Sequence, residues 1–220
     1  MFLYNNIIMI KSDVVLLIMN CAKYAHKAKY QKDTWLKKLP ETIPYFHVLG
    51  DPSLQTNYNI DHSNHILWVN TKDDYVSLPH KVISAYEAIQ QTYDFKYIFK
   101  TDDDQNLVFD NFFISLTKIL QEKTPKPHYG GNIISIREHI SAYWTIHPEL
   151  PRDLLMKATT YSSGRFYFLS RDAIESLLQK ISDIAKEYFE DYAIGLYLEA
   201  SFKENALYIK TDNIFKDIIM

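Results

Sequence analysis

The sequence predicts a single α/β domain over residues 1–220, with a central mixed, mostly parallel sheet flanked by helices. Three observations predict it. Short apolar runs alternate with stretches of helical period in the first half of the chain and mix with them in the second. The length of 220 residues and the apolar content of 47% suit one full-sized core. No linker-like stretch, low-complexity segment or internal repeat divides the chain.

The elements follow in order. Residues 14–20 form a buried first strand bounded by Ser12 and Asp13. Residues 26–38 form a polar helix with Trp35, Leu36 and Leu39 on one side, stopped by Pro40. Residues 45–49 are a second strand, ended by the turn Gly50-Asp51-Pro52. Residues 65–70 are a third. Ser77 serves as the N-cap of a helix running to about Thr92, with Pro79 in its first turn. Residues 96–101 are the strand that leads into Asp102, Asp103 and Asp104. Apolar residues at 112, 113, 116, 119 and 120 give a helix broken by Pro125 and Pro127. Residues 128–134 form a strand containing Gly130 and Gly131, and 136–160 show no steady period. Residues 165–169 are strand-like. Ser170 caps a helix with Ile174, Leu177, Leu178, Ile181 and Ile184 on one face. A last helix covers 190–202 and a last strand 206–210.

Composition excludes several classes. A net charge of −3 supplies no basic field for nucleic acid or an anionic membrane surface. Neither the N-terminal residues nor the apolar run at 14–19 is long enough to span a bilayer, and no signal-peptide layout is present. Cys21 is the only cysteine, so no intrachain disulfide forms, and a reducing compartment is expected. The eight histidines show no zinc-ligand spacing. These features fit a soluble bacterial or viral enzyme of the cytoplasm (the host's cytoplasm, if viral).

Three segments carry chemistry. Asp102, Asp103 and Asp104 end a strand, where open α/β sheets bind ligands. Two such carboxylates together with diphosphate oxygens complete an octahedral Mg²⁺ or Mn²⁺ shell. The competing reading is a solvated acidic turn, with Asp104 or Asn106 capping the next helix. Glu190 and Asp191 open a helix that also contains Gly195. A helix dipole explains the charges; a general base for a reacting hydroxyl is the functional alternative. Residues 161–170 are either a turn into an edge strand or a segment whose Gly164 lets backbone come close to a sugar. His26, Lys27, Lys29 and Lys32 form either a solvated helix face or a seat for a nucleotide base or phosphate. Tyr143 and Trp144 either pack in the core, stack on a sugar or close over the donor.

In this order the segments resemble family 31 of the glycosyltransferases, the β1,3-galactosyl- and N-acetylglucosaminyltransferases that include the fringe enzymes. Lys32-Asp-Thr-Trp35 resembles that family's Arg-x-Thr-Trp element, and Phe46-His-Val-Leu-Gly50 its second strand. Asp74 to Lys81 is similar to Asp-x-Tyr-x-Asn-Leu-Thr-x-Lys, and Lys100 to Asp104 to Lys-x-Asp-Asp-Asp. Tyr161 to Ser170 is similar to Tyr-x-x-Gly-x-x-Tyr-x-x-Ser, and Glu190 to Gly195 to Glu-Asp-Val-x-x-Gly. The resemblance spans roughly residues 13–200.

The resemblance implies a GT-A fold, UDP-sugar donors, Mn²⁺ or Mg²⁺, and inversion at the anomeric carbon. It implies that Asp104 ligates the metal, that Asp102 and Asp103 contact the nucleotide or support the metal, and that Asp191, beside Glu190, is the base. Gly164 would line the donor or acceptor site, with Lys29, Lys81 and Arg165 further donor contacts. The acceptor would be a glycan, a glycoprotein or another hydroxyl compound. The sequence departs from the family in lacking a membrane anchor, disulfides and a late Phe-His metal ligand. Phe215-Lys216 stands in its place, so Asp212 or Asp217 would take over the ligand, or Lys216 would neutralise diphosphate directly. Two rival functions are a nucleotide-sugar-binding protein without turnover and a metal-dependent phosphoryl transferase. The second lacks a P-loop and explains none of the other segments.

Overall fold

The computed structural model of the protein describes residues 9–219; the expectation for the first eight residues lies outside them. The main sheet has eight strands. In chain order they are β1 (Val14–Met19), β2 (Tyr45–Gly50), β3 (Tyr58–Asp61), β4 (Ile66–Val69), β5 (Tyr97–Asp102), β6 (Tyr129–Ile136), β7 (Thr159–Ser170) and β8 (Leu207–Tyr208). Their order across the sheet is β8-β6-β7-β5-β1-β2-β4-β3. Strands β5, β1, β2 and β4 are parallel, as is the β6–β8 pair. Strand β7 runs antiparallel to both its neighbours, and β3 edges the sheet antiparallel to β4.

β1 is buried along its whole length, so Val-Val-Leu-Leu-Ile-Met reads as a continuous apolar run rather than an alternation. Its side chains divide between two cores. Val15 and Leu17 pack with Phe46 and Val48 under helices α2 (Leu78–Thr92), α4 (Arg171–Leu178) and α6 (Glu190–Tyr197). Val14, Leu16 and Ile18 pack with Phe99, Phe166 and Phe168 under Trp35 and α3 (Phe112–Glu122). Both layers hold the parallel strands so that their carboxyl ends open at one rim.

Several elements differ from expectation, each for a local reason. The first helix, α1 (Ala25–Asp33), ends at Thr34, whose hydroxyl bonds back to the Tyr30 carbonyl; Trp35–Lys38 continues as a 3₁₀ turn. Ser77 makes no side-chain cap. The Asp74 carboxylate accepts the Ser77 N–H at 2.8 Å instead. No helix starts at the aspartates: residues Gln105–Leu107 form a short strand, and α3 begins at Phe112 behind Asn111. That corrects the helix-capping reading of Asp104 and Asn106. Strand β7 is 12 residues long and shifts register between Ser162 and Tyr167, which bends it over the sheet. Ser170 does cap α4, accepting the Ala173 N–H at 3.2 Å, a contact typically worth about 1 kcal/mol. The expected helix after it divides into α4 and α5 (Ile181–Ile184), and the last one into α6 and α7 (Ala200–Lys203).

Candidate active site

The rim at the carboxyl ends of β1 and β5 gathers the acidic residues. β5 delivers Asp102, and β1 is continued by the Asp103 N–H donating to the Met19 carbonyl at 3.0 Å. The aspartate turn is held from below by the first helix. The Gln31 amide donates to the carbonyls of Asp102 (3.1 Å) and Gln105 (2.9 Å), and the Trp35 indole donates to Gln105 at 3.2 Å. Trp35, at the end of the element Lys32-Asp-Thr-Trp35, and Gln31 just before it thus position the backbone of the aspartate turn.

Lys100 organises the interior side. Its ammonium is 1% exposed and donates to Asp102 Oδ1 (2.7 Å), Glu190 Oε2 (2.8 Å) and the Gly164 carbonyl (3.0 Å). These three acceptors use all of its protons. Burial pushes the ammonium's pKa down, but Asp102 and Glu190 outweigh that and raise it. Glu190 also accepts the Tyr167 hydroxyl, which meets the Tyr86 hydroxyl at 2.7 Å. Both Glu190 oxygens are therefore engaged inside the protein. Its position is that of a residue orienting Lys100, not one facing an acceptor.

Asp191, next along α6, turns the other way. Its Oδ2 accepts the Gly164 N–H at 2.9 Å and its Oδ1 accepts the Tyr192 N–H at 2.8 Å. Gly164 sits between the two carboxylates: a Cβ there would lie 3.4 Å from Asp102 Oδ2 and 3.5 Å from Asp191 Oδ2. A larger side chain would fill the space they share. Gly195 has a separate purpose. A Cβ there would collide with Tyr161, so only glycine lets α6 lie against β7 and bring Asp191 to Gly164.

Burial raises the pKa of both carboxylates, against the opposing pull of Lys100. Asp103 is pushed up to about 7, by burial first and then, against the pull of Lys27, by the adjacent Asp104 and Asp102. The three aspartates thus crowd like charge at a partly dry rim, which a cation would relieve. Among the described residues no three His, Cys, Asp or Glu side chains gather closely enough to hold a metal unaided. The donor set fits a hard divalent ion only in part, one or two carboxylates with the remaining oxygens coming from a diphosphate and water.

The other expected contacts divide. Lys27 reaches the site, 3.7 Å from Asp103 Oδ1 and over the Tyr24 ring. Lys29 pairs instead with Asp33 at 2.6 Å, is 78% exposed and lines a cavity beside α1. Lys81 is 2% exposed and spent internally, on the Asn20 carbonyl (2.8 Å) and Asp73 (2.5 Å). Asp73 also accepts the N–H groups of Gly50 and Ala22, so this pair ties the ends of β1 and β2 to α2. Arg165 does not face the aspartates as a free cation. It grips Asp212 (2.8 Å) and Asp217 (2.7 Å). Asp212, 67% exposed, is thus paired with the same guanidinium that holds Asp217. The Asp217 Oδ1 shares the Gln105 amide with Asp104 Oδ1, and residues Phe215–Asp217 pair antiparallel with Gln105–Leu107. Of the three late candidates, Asp217 is the one brought beside the aspartates. Lys216 is exposed, its backbone opposite Asn106.

A cavity of about 360 Å³ lies between α1 and β2, lined by Asn20, Ala25, Lys29, Lys32 and His47 among others. Burial pushes His47 down to about 3, with help from Lys32 and His65, so the ring is neutral. Its Nδ1 is 3.4 Å from the Asn20 amide nitrogen, and among the described residues its Nε2 has no partner.

The fold and the sequence point the same way in comparison with known proteins. Over 90% of its length the chain superposes on the mannosyltransferase Ktr4p of S. cerevisiae, covering 68% of that chain with a TM-score of 0.51 at 8% identity, which shows the fold alone. A glycosyltransferase involved in glycosylating the major capsid of PBCV-1 gives a TM-score of 0.48 at 11% identity, over 90% of this chain and 82% of that one. The galactosyltransferase LgtC, with donor and acceptor sugar analogues bound, gives 0.47 at 12% identity over 90% and 73%. No curated protein sequence matches significantly. The sheet, with its antiparallel β7 crossing beside the aspartates, is a GT-A glycosyltransferase fold. The sequence profile of the galactosyltransferase family matches residues 29–203, most of the chain, and the chain belongs to that family.

Proposed function

We propose that the protein transfers a hexose or N-acetylhexosamine from a UDP-sugar to an acceptor hydroxyl, with inversion and with Mn²⁺ or Mg²⁺. The observation that carries this reading is the meeting of Asp102 and Asp191 on either side of Gly164 at the sheet's carboxyl rim. One carboxylate belongs to the strand end where a diphosphate docks, the other to a helix start that faces the same space.

The chain's own groups divide the work. The nucleoside end reaches toward the cavity between α1 and β2, lined by Asn20, Lys29 and Lys32 among others. Lys27 faces the diphosphate's negative charge. Asp102 and Asp104 would hold the divalent ion, which supplies neutralisation of charge on the departing diphosphate. The acceptor oxygen attacks the anomeric carbon as the bond to the diphosphate oxygen breaks and its electron pair leaves with UDP. Asp191 takes the acceptor's proton. The N–H groups of Gly164 and Tyr192 fix its orientation while leaving each oxygen a lone pair.

The cytoplasm belongs to the same proposal. It rests on the single cysteine; no helix among the described residues is long and apolar enough to cross a membrane.

Calorimetry tests the donor side. UDP is expected to bind more tightly with Mn²⁺ than with EDTA, and Asp104→Ala is expected to remove that gain. Equal affinity under both conditions would remove the metal from the proposal. UDP release from a panel of UDP-sugars, with and without acceptors, separates a transferase from a binding protein: no release with any donor would favour binding alone.

A further inference from the structure

Strand β7 does not run straight past the site. Ser162 pairs with Ile133 of β6 and Tyr167 with Gly131, so residues 163–166 stand opposite Asn132 alone. The extra residues bulge out of the ladder, and their backbone groups must find partners elsewhere. Gly164 lies inside this bulge.

Two buried hydroxyls hold its ends. On the β6 side the Tyr129 hydroxyl accepts the Ser162 N–H at 2.6 Å. On the β5 side the Thr101 hydroxyl donates to the Arg165 carbonyl at 2.7 Å. Tyr129 is 1% exposed and Thr101 0%, so neither reaches a ligand itself. A Cβ on Gly131 would collide with the Ser162 hydroxyl, so glycine opposite the bulge lets Ser162 turn inward. Beyond the second end, the Arg165 side chain grips Asp212 and Asp217.

Between the two pins lies Gly164, whose backbone is bonded on both sides. Its N–H donates to Asp191 Oδ2 at 2.9 Å, and its carbonyl accepts from Lys100 at 3.0 Å. The same ammonium holds Asp102 at 2.7 Å. A sideways shift of Gly164 therefore disturbs the base and the donor-side carboxylate together. A phenyl ring at 129 and a valine at 101 would fill the same core space. What the hydroxyls alone supply is the placement of that backbone.

We infer that Tyr129 and Thr101 are positioning residues for transfer: their hydroxyls pin the bulge, and the bulge fixes Gly164 against Asp191 and Lys100. The part played in transfer rests on the sugar-transfer reading above; the pinning itself does not.

Tyr129→Phe and Thr101→Val each remove one hydroxyl and keep the side chain's bulk. Hydrogen exchange of the Gly164 N–H, followed by NMR on the full chain, reads the pinning without any turnover. In both variants it is expected to quicken by at least roughly 10-fold, the worth of one charge-assisted hydrogen bond. In transfer kinetics kcat is expected to fall by up to about 100-fold, as a slightly displaced reacting group costs, with little change in the donor or acceptor KM. Ile89→Val trims the core in the last turn of α2 and controls for a plain loss of stability; its kcat is expected to match the wild type. Should Tyr129→Phe fail to fold, Thr101→Val carries both readouts.

Gly164 exchange no faster in the hydroxyl variants than in Ile89→Val, or a wild-type kcat once that exchange has quickened, would overturn the proposal. Quickened exchange in a protein that releases no UDP from any donor would uphold the pinning and sink the transferase reading instead.

Discussion

Asp191→Asn is expected to bind UDP nearly as well as the wild type and to lose sugar transfer by about 10²–10⁴-fold, the usual worth of general-base assistance. The substitution keeps the side chain's shape, and its amide oxygen can still accept one of the two N–H bonds from Gly164 and Tyr192. What it loses is the ability to accept a proton. The pH profile gives an independent check. Burial raises the Asp191 pKa, so the carboxylate protonates, and stops acting as a base, at a higher pH than an ordinary aspartate. The acid limb of kcat/KM is expected above the usual aspartate range, with activity falling as pH drops through it, and absent in the residual activity of the variant. Near-normal transfer by Asp191→Asn on a verified acceptor would move the base elsewhere and leave Asp191 as a helix-end carboxylate.

Lys100→Met is expected to be the more damaging change to the protein itself. It removes the ammonium that Asp102, Glu190 and the Gly164 carbonyl all use, and strands Glu190 at the centre of a buried cluster. Removing one partner of a buried ion pair typically costs about 3–5 kcal/mol, or roughly 6–20 °C in Tm for a chain of this size. The double variant Lys100→Met with Glu190→Gln is expected to recover part of that loss, since the uncompensated charge goes with it. Thermal denaturation of the two variants reads this directly. A Lys100→Met protein that melts with the wild type would show that the cluster is solvated rather than dry. Transfer is expected to fall in both variants, because Asp102 loses the donor that holds it.

The parts of the site legible in the sequence were those written as consecutive residues. Asp102, Asp103 and Asp104 follow a strand, and Glu190-Asp191 opens a helix; both placements hold. Residues that act by meeting partners far along the chain were not legible. Nothing in the local pattern distinguishes Lys27, which reaches Asp103, from Lys29 two positions on, which pairs with Asp33 in solvent. The buried Lys81–Asp73 pair and the amide of Gln31 under the aspartate turn had no signal beyond polar residues in unremarkable places. Alternation between α1's buried and exposed faces would have singled out Gln31 only if polar residues were allowed on the buried side.

The fold shows the same division. β1 and β5 stand out because both faces of each are buried. β3 did not, since Tyr-Asn-Ile-Asp is a half-polar edge strand of four residues. Gln105–Leu107 and Phe215–Asp217 are three residues each and exist only by pairing with one another across the length of the chain. The length of β7 was underestimated because its register shift interrupts the alternation that marks a strand.

The string of contacts from Tyr86 through Tyr167, Glu190 and Lys100 to Asp102 bears on how sequence variants of this protein should be interpreted. Tyr86 lies in α2, fully buried, and its ring is packed among aliphatic side chains like any core residue. Judged by burial alone, phenylalanine would be the gentlest replacement for it, since only one hydroxyl is lost. Yet that hydroxyl holds the Tyr167 hydroxyl that bonds Glu190, so its removal is felt at the carboxylate two contacts further on. Ranking natural polymorphisms or library hits by distance from the cleft would therefore misplace position 86. Its tolerance belongs with that of the catalytic rim, and the same holds for position 167.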